Sequence, residues 1–296
     1  MASRIVLVTG GDGQLASDLK EIWPREQPDD HVVPLSHSEL DVTDPAAVAS
    51  AFASHQPLLV VNTAAYNAVD GAEDEPDRAF AVNAIGPRNL AEACAASGAA
   101  FMHISTDYVF SGFGRERGQP YLESEEVEPL SVYAASKVAG EMLVRAACRR
   151  HFVVRTSGLY GRAGSAAKGG GFVPAMLGLA ANGGTARVVD DQVLTPTSTA
   201  ALARQLAVLS AGEVYGTYHA TCQGECSWYE FAAEIFRLTR AAAKVVPQSS
   251  AESGRKAKRP SYSALDNGNL RALDIDRMPE WRDGLAAYLS SVGAVR

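Results

Sequence analysis

Ser105-Thr106-Asp107 and, further on, Tyr133-Ala-Ala-Ser136-Lys137 give one chain a hydroxyl, a phenol and an ammonium in a pattern suited to reducing a carbonyl. On a helix, Tyr133 and Lys137 stand four apart and share a face. A cation beside a phenol favours the phenolate and draws the tyrosine below its ordinary pKa of about 10. Tyr133 would then give or take a proton near neutral pH. In a chain with 10 tyrosines this pair is weak evidence alone. Its weight comes from the elements that must hold it.

Those elements describe a dinucleotide site. Arg4-Ile-Val-Leu-Val-Thr9 is a short, β-branched apolar run that reads as a buried strand. Gly10-Gly-Asp-Gly13-Gln14-Leu15 follows, then an amphipathic helix expected to run to about Trp23 and to be closed by Pro24. Gly10 permits a tight turn. Gly13 lets the backbone approach a pyrophosphate at the helix N-terminus, where free N–H groups favour anions. Ala16 suits close helix–strand packing. An ordinary βα turn has much the same composition, but the position between a clear strand and a clear helix favours the nucleotide reading.

The βα rhythm continues. His31–Leu35 is a second strand that Pro34 should shorten or make irregular. Asp44 and Pro45 suit a helix N-cap and first turn. Leu58–Thr63 is a third strand, ending at Ala64-Ala65-Tyr66, and Arg78 to Ser97 has one helical periodicity. Ala99–Ile104 is a fourth strand with Ser105-Thr106-Asp107 at its end, and Phe152–Thr156 is a fifth. This alternation predicts an α/β, doubly wound parallel sheet. Ligands bind outside the carboxyl ends of such strands, so Gly10, Ala64 and Thr106 should converge.

Composition narrows the function class. The 296 residues can bury a large core, and 47% hydrophobic with 21% charged residues is ordinary for a globular chain. A net charge of −7 argues against nucleic-acid binding, and no apolar run reaches membrane-spanning length. The opening apolar run meets glycines at once and does not read as a secretory leader, so a cytoplasmic location is expected. The four cysteines form no disulfide framework. Cys222 and Cys226 lack the partners of a zinc set, so no metal is expected and a structural role is assigned to them.

After Thr156 the alternation breaks down. Gly161 to Gly171 reads as a loop, either a lid or a plain connection. A helix over about 172–182, a strand over 187–189, a polar turn over 190–197 and a helix capped by Thr197 or Ser198 follow. Tyr218–Ala220 ends a short strand, Ser227 and Glu230 have capping-box spacing, and a helix over about 281–289 closes the chain. A dinucleotide-binding domain of 1–157 and 197–222 is expected, with a smaller, discontinuous lobe of 158–196 and 223–296. The basic run Arg255, Lys256, Lys258 and Arg259 has two readings, a grip on a pyrophosphate or a solvated loop. Glu123, Glu125, Glu126 and Glu128 read as solvent-facing.

With these residues in place, the chain resembles the dTDP-4-dehydrorhamnose reductase family of extended short-chain dehydrogenases, almost end to end. The resemblance rests on Thr9-Gly-Gly-Asp-Gly-Gln-Leu15, Asp41-Val-Thr-Asp44, Asn62-Thr-Ala-Ala-Tyr66 and Ile104-Ser-Thr-Asp-Tyr-Val-Phe110. Further stretches are Val132-Tyr-Ala-Ala-Ser-Lys137, Arg155-Thr156, Asp191-Gln192 with Pro196-Thr197, and Arg259-Pro260 with Ser263 and Leu265-Asp266. It implies a Rossmann-type fold with a C-terminal substrate lobe, and reduction of a nucleotide-linked 4-keto-6-deoxy sugar. Tyr133 would supply the proton, Lys137 would hold the nicotinamide ribose, and Thr106 would bond near the reacting oxygen. Gly10, Gly13, Gln14 and Leu15 would cradle the cofactor. Asp41 and Val42 would meet the adenine, and Ala64, Ala65 and Tyr66 would line the dinucleotide path. Thr106, Asp107, Tyr108, Asp191, Gln192 and Arg259 are expected on the substrate side. NADPH is the expected cofactor, with NADH as the alternative, since Ser36-His37-Ser38 offers neither an acid nor an arginine for the adenosine ribose. A homodimer is compatible with the family.

The chain departs from the family pattern where Gly158 replaces a common tryptophan and where Val193-Leu194-Thr195 precede Pro196. Both changes fall in the expected substrate lobe and bear on the identity of the sugar. Two other readings compete: a sugar-nucleotide epimerase or dehydratase, and a non-catalytic binding protein of the type found as the methionine adenosyltransferase regulatory subunit. Tyr108, where the dehydratases carry glutamate, counts against the dehydratase.

Overall fold

In a computed structural model of the chain, residues 4–163 and 170–295 are described. Most of the Gly161 to Gly171 loop expectation lies outside the described residues. Strands β1 (Arg4–Thr9), β2 (Asp30–Leu35), β3 (Leu59–Asn62), β4 (Ala100–Thr106) and β5 (His151–Thr156) join Gly216–His219 in one six-stranded sheet. Its order is Gly216–His219, β5, β4, β3, β1, β2, and every pairing is parallel. Val6, Leu7, Val8, Val60 and Val61 are fully buried, which explains their unbroken apolar runs: helices cover both faces of a parallel sheet. The chain runs outward from β1 to β2, then returns to β3 on the other side of β1. That reversal leaves a crevice at the carboxyl ends of β1 and β3.

Two prolines behave differently from expectation. Pro34 does not shorten β2, because β2 lies at the sheet edge and a missing N–H is tolerated there. Pro24 does not close the first helix, which spans Gln14–Glu26. Trp23, fully buried and bonded through Nε1 to Asp30 at 2.8 Å, anchors the last turn beyond it. The expected helix from Arg78 to Ser97 also divides. Pro76–Phe80 and Gly86–Ser97 are α-helical, with a π turn over Ala81–Ile85 between them. Asp44 caps Pro45–His55, and Ser198 caps Thr199–Leu209.

Apart from Gly216–His219, the strands beyond β5 are short pairs: Leu159–Tyr160 with Thr197–Ser198, Thr185–Val189 with Lys244–Gln248, and Val193–Leu194 with Cys226–Ser227. A separate apolar cluster gathers Tyr160, Val173, Phe231, Ile235, Trp281 and Leu285, and Cys222 and Cys226 are buried within it. The capping box of Ser227 and Glu230 is formed. Among the described residues, no helix is long and apolar enough to cross a membrane.

Candidate active site

Gly10 ends β1 with φ +69°, and a Cβ there would stand 2.9 Å from the Ala64 nitrogen. The ends of β1 and β3 therefore meet backbone to backbone at the topological switch. Gly13 donates its N–H to the Gly10 carbonyl at 2.8 Å, and a Cβ at Gly13 would lie 3.0 Å from that same oxygen. Gly11 is a third tight position, its N–H on the Leu35 carbonyl at 2.7 Å. No side chain caps the Gln14–Glu26 helix, so its first-turn N–H groups are left to an anion. Leu15 is buried in the core and Gln14 reaches the Leu159 carbonyl at 3.4 Å, so what these two offer a ligand is backbone. Alanine at Gly10 adds a Cβ in left-handed backbone, a cost of about 1–2 kcal/mol before any clash. We expect Gly10→Ala to lower the melting temperature and to weaken dinucleotide affinity at least ten-fold, read by thermal melts and fluorescence titration.

The expected adenine contacts are partly occupied within the protein. The Asp41 carboxylate accepts the Thr43 hydroxyl at 2.7 Å and the Thr43 N–H at 2.9 Å, which hold it below its ordinary pKa. The Val42 side chain is buried against Gly86, and its carbonyl accepts from Asn89 at 3.1 Å. Ala65 is exposed and Ala64 half-buried. Tyr66 is clamped by Asn83, which accepts the Tyr66 N–H at 2.8 Å and donates to the Tyr66 carbonyl at 3.0 Å, while the phenol donates to Glu75 at 2.6 Å. The π turn is what aims Asn83 inward, and Gly140 permits the approach, because a Cβ there would collide with the Asn83 carbonyl. Helical periodicity carries no signal for such a turn, so Asn83 was not legible.

Tyr133 and Lys137 lie on the Val132–Ala147 helix, whose N-cap Ser131 accepts the Ala134 N–H at 3.2 Å. Tyr133 packs against the end of β4, its ring edge-on to Tyr108 and its phenol influenced by Thr106, so the end of β4 and the helix meet as expected. The expected lowering of the phenol is not found. Burial pushes Tyr133 upward, Thr106 opposes this, and the Asp107 and Tyr108 charges add to the rise. Lys137 does not offset it, because its ammonium faces β4 instead and donates to the Ile104 carbonyl at 2.7 Å. Four residues apart gives one helix face but does not fix where a long side chain ends. Burial lowers Lys137 to about 8.

The substrate-side residues divide. Tyr108 stacks edge-on to Tyr133 at 6.0 Å between ring centroids, and burial raises its phenol to about 12. Asp107 is buried and accepts hydroxyls from Thr106 (3.1 Å), Ser157 (2.8 Å) and Ser263 (2.5 Å). Its carboxylate thus ties three segments together. Arg259 grips Asp70 with two bonds, at 2.8 and 3.1 Å, and holds that carboxyl down at about 2. Lys256 pairs with Asp74, so in the basic run Arg255 and Lys258 remain the exposed cations without such a pairing partner described. Asp191 and Gln192 both bind Ser250, at 2.6 and 2.7 Å, which fastens their turn to the end of Lys244–Gln248. Gly158 has φ +53°, and a Cβ there would be 2.7 Å from Leu194 Cδ1. The two departures from the family pattern are therefore one packing arrangement, with Leu194 filling space beside Gly158. The acidic run is not simply solvated: Glu123 accepts the His219 and Asn269 N–H groups, Glu125 pairs with Arg115, and Glu128 accepts the Ser111 hydroxyl.

A dinucleotide fits this arrangement. The glycine turn leaves no room for side chains, and at the carboxyl end of β5 the buried Thr156 hydroxyl, in register with Thr106, has no hydrogen-bond partner. Residues 4–293 match the RmlD substrate binding domain family. A dTDP-4-dehydrorhamnose reductase of Streptomyces griseus is 44% identical over 286 residues, spanning 94% of this chain and 91% of that protein. The crystal structure of a dTDP-4-dehydrorhamnose reductase from Clostridium acetobutylicum has a TM-score of 0.91 at 41% identity, over 98% of this chain and 99% of that one. Another from Bacillus anthracis, in complex with NADP, has a TM-score of 0.91 at 37% identity over the same shares.

Proposed function

This chain belongs to the RmlD substrate binding domain family, and on that premise we propose that it reduces the C4 ketone of a dTDP-linked 4-keto-6-deoxy sugar with NADPH, as a dTDP-4-dehydrorhamnose reductase does. The observation that carries the reading is the placement of Tyr133 against the Thr106–Tyr108 end of β4, its ring centroid 6.0 Å from that of Tyr108, in a sheet whose first turn is the tight glycine turn. The epimerase, dehydratase and non-catalytic readings find less support, since the relatives that span nearly the whole chain at 37–44% identity include reductases.

Bound NADPH supplies the hydride to the sugar C4. The chain would hold it through the Gln14 and Leu15 backbone N–H groups above the Gly10–Gly13 turn, through the Ala64–Tyr66 path and through the free Thr156 hydroxyl. Tyr133, kept protonated by burial, donates its proton to the ketone oxygen as the hydride arrives, and C=O becomes CH–OH. Thr106 holds the phenol on line. Lys137, one turn along, would hold the nicotinamide ribose. We assign nucleotide binding to residues 1–157 and 197–222, and sugar binding to 158–196 and 223–296.

Purified protein with NADPH and dTDP-4-keto-6-deoxy-L-mannose should consume the reduced nicotinamide in proportion to alcohol formed. Consumption with no alcohol product would defeat the reading. The pH dependence has a definite sign. Lys137 is charged below about 8 and loses its cation above that, whereas Tyr133 stays protonated there. kcat/KM for reduction should be level on the acid side and fall above about pH 8. A profile still rising at pH 9 would contradict this.

A further inference from the structure

A line of buried polar groups crosses the sheet from the glycine turn to Lys137. The Thr9 hydroxyl donates to Asn62 Oδ1 at 2.5 Å, Asn62 Nδ2 meets His103 Nδ1 at 3.0 Å, and His103 Nε2 stands 3.4 Å from Lys137 Nζ. Thr9, Asn62 and His103 are inaccessible to solvent, and Lys137 is nearly so. The protons along this line are determined. Asn62 Oδ1 accepts two donors, the Thr9 hydroxyl and the Ala64 N–H at 3.2 Å, so the opposite side of the amide is its NH2. That NH2 faces His103 Nδ1, which must accept. Burial, with the Lys137 and Arg145 charges adding, holds the His103 ring far below its ordinary pKa and therefore neutral. A neutral ring whose Nδ1 accepts carries its hydrogen on Nε2. His103 thus aims an N–H at the lysine nitrogen.

We propose that His103 is a positioning residue for Lys137: with its tautomer fixed by Asn62, it presents a donor to Nζ, keeps the side chain turned to the Ile104 carbonyl, and sets the pH at which Lys137 loses its charge. An N–H opposite an ammonium is repulsive. Opposite a neutral amine it is a hydrogen bond, so the tautomer favours the uncharged form. The groups that oppose or adjoin it are few. Glu141, on the same helix, favours the charge but is itself held by Arg155 from β5 and by Arg145. The π turn presents the neutral Asn83 to Ser136. Asp107, Tyr108, Tyr133 and Glu73 lie at the helix N-terminal end, where Glu73 accepts the Val132 N–H. His103, from β4, is the ring that faces Nζ.

The proposal rests on the reductase reading for the role of Lys137, but its test needs no substrate. Protein carrying 15N-labelled lysine and histidine is titrated by NMR, with Lys137→Met identifying the Lys137 signal. His103 should show hydrogen on Nε2, and Lys137 should titrate near 8. His103→Phe keeps a ring but removes the donor. Asn62→Asp accepts a hydrogen from Nδ1 and turns Nε2 into an acceptor. Each should raise the Lys137 midpoint by about one pH unit, a ten-fold change in its protonation equilibrium. His103→Gln, which retains an N–H, should bring it back toward wild type. The alkaline limb of kcat/KM should move with the midpoint. Hydrogen on Nδ1 in the wild type, or a midpoint unmoved in both variants, would overturn the proposal. Absence of sugar reduction with these shifts intact would instead count against the reductase reading alone.

Discussion

Tyr133→Phe lowers kcat for sugar reduction by about 10²–10⁴-fold, the range for loss of a positioned general acid. The same variant binds NADPH with little change. Phenylalanine keeps the ring and so keeps the edge contact with Tyr108 at 6.0 Å between centroids. What it loses is the hydrogen delivered to the ketone oxygen. An effect confined to the chemical step lowers kcat and kcat/KM together and leaves KM in place. Steady-state kinetics beside a nucleotide titration separate these outcomes. Equal, slow oxidation of NADPH by both proteins would mean that Tyr133 does not carry the proton. Because burial, not Lys137, dominates the state of this phenol, the residue enters the reaction protonated, which suits reduction.

Glu141→Ala costs about 3–5 kcal/mol of stability, the range for a buried ion pair stripped of one partner. Glu141 and Arg155 are both almost wholly enclosed, and two bonds join them, at 2.8 and 3.0 Å. Ser105 donates to the same carboxylate at 2.6 Å, and Arg155 lies over the Phe110 ring. The substitution leaves a guanidinium in the core with the neutral, buried His219 at 3.4 Å as its remaining side-chain hydrogen-bond neighbour. Burial alone would raise the Glu141 carboxyl, but Arg155, Ser105 and Arg145 together lower it. A carboxyl lowered in the folded state stabilises above its unfolded pKa of about 4.3, and that stabilisation fades as pH falls through the folded value. The gap between wild type and variant in urea unfolding should therefore be widest near neutral pH and close in acid. Arg145→Ala is the control: that side chain is 36% exposed, and its loss should cost about 1 kcal/mol or less. A Glu141→Ala protein as stable as the Arg145→Ala protein would show that the enclosed pair contributes little.

Much of the sheet was legible because its signals are local. β1, β3, β4 and β5 are built on apolar runs, and the caps at Asp44, Ser198 and Ser227 are one-residue features with fixed offsets. The glycine turn and the Tyr133–Lys137 spacing are local as well. The prolines misled because their effect depends on strand position and on packing: Pro34 lies on an edge and Pro24 beside a buried Trp23. The acidic and basic runs were harder still, since a charged side chain is long and finds a partner far along the chain. Arg259 with Asp70, and Lys256 with Asp74, are examples.

By itself the sequence determined the βα order, the glycine turn after β1 and the spacing of Tyr133 and Lys137, because periodicity, turn chemistry and motif spacing act over a few residues. Only the tertiary structure decided where the charges end and what each one feels. It buried Tyr133 so that its phenol rises, and turned Lys137 toward His103 and Ile104. It also spent Asp107 and Arg259 on partners from distant segments and set Leu194 beside Gly158. Desolvation and hydrogen bonding depend on neighbours brought together by folding, and no spacing along the chain encodes them.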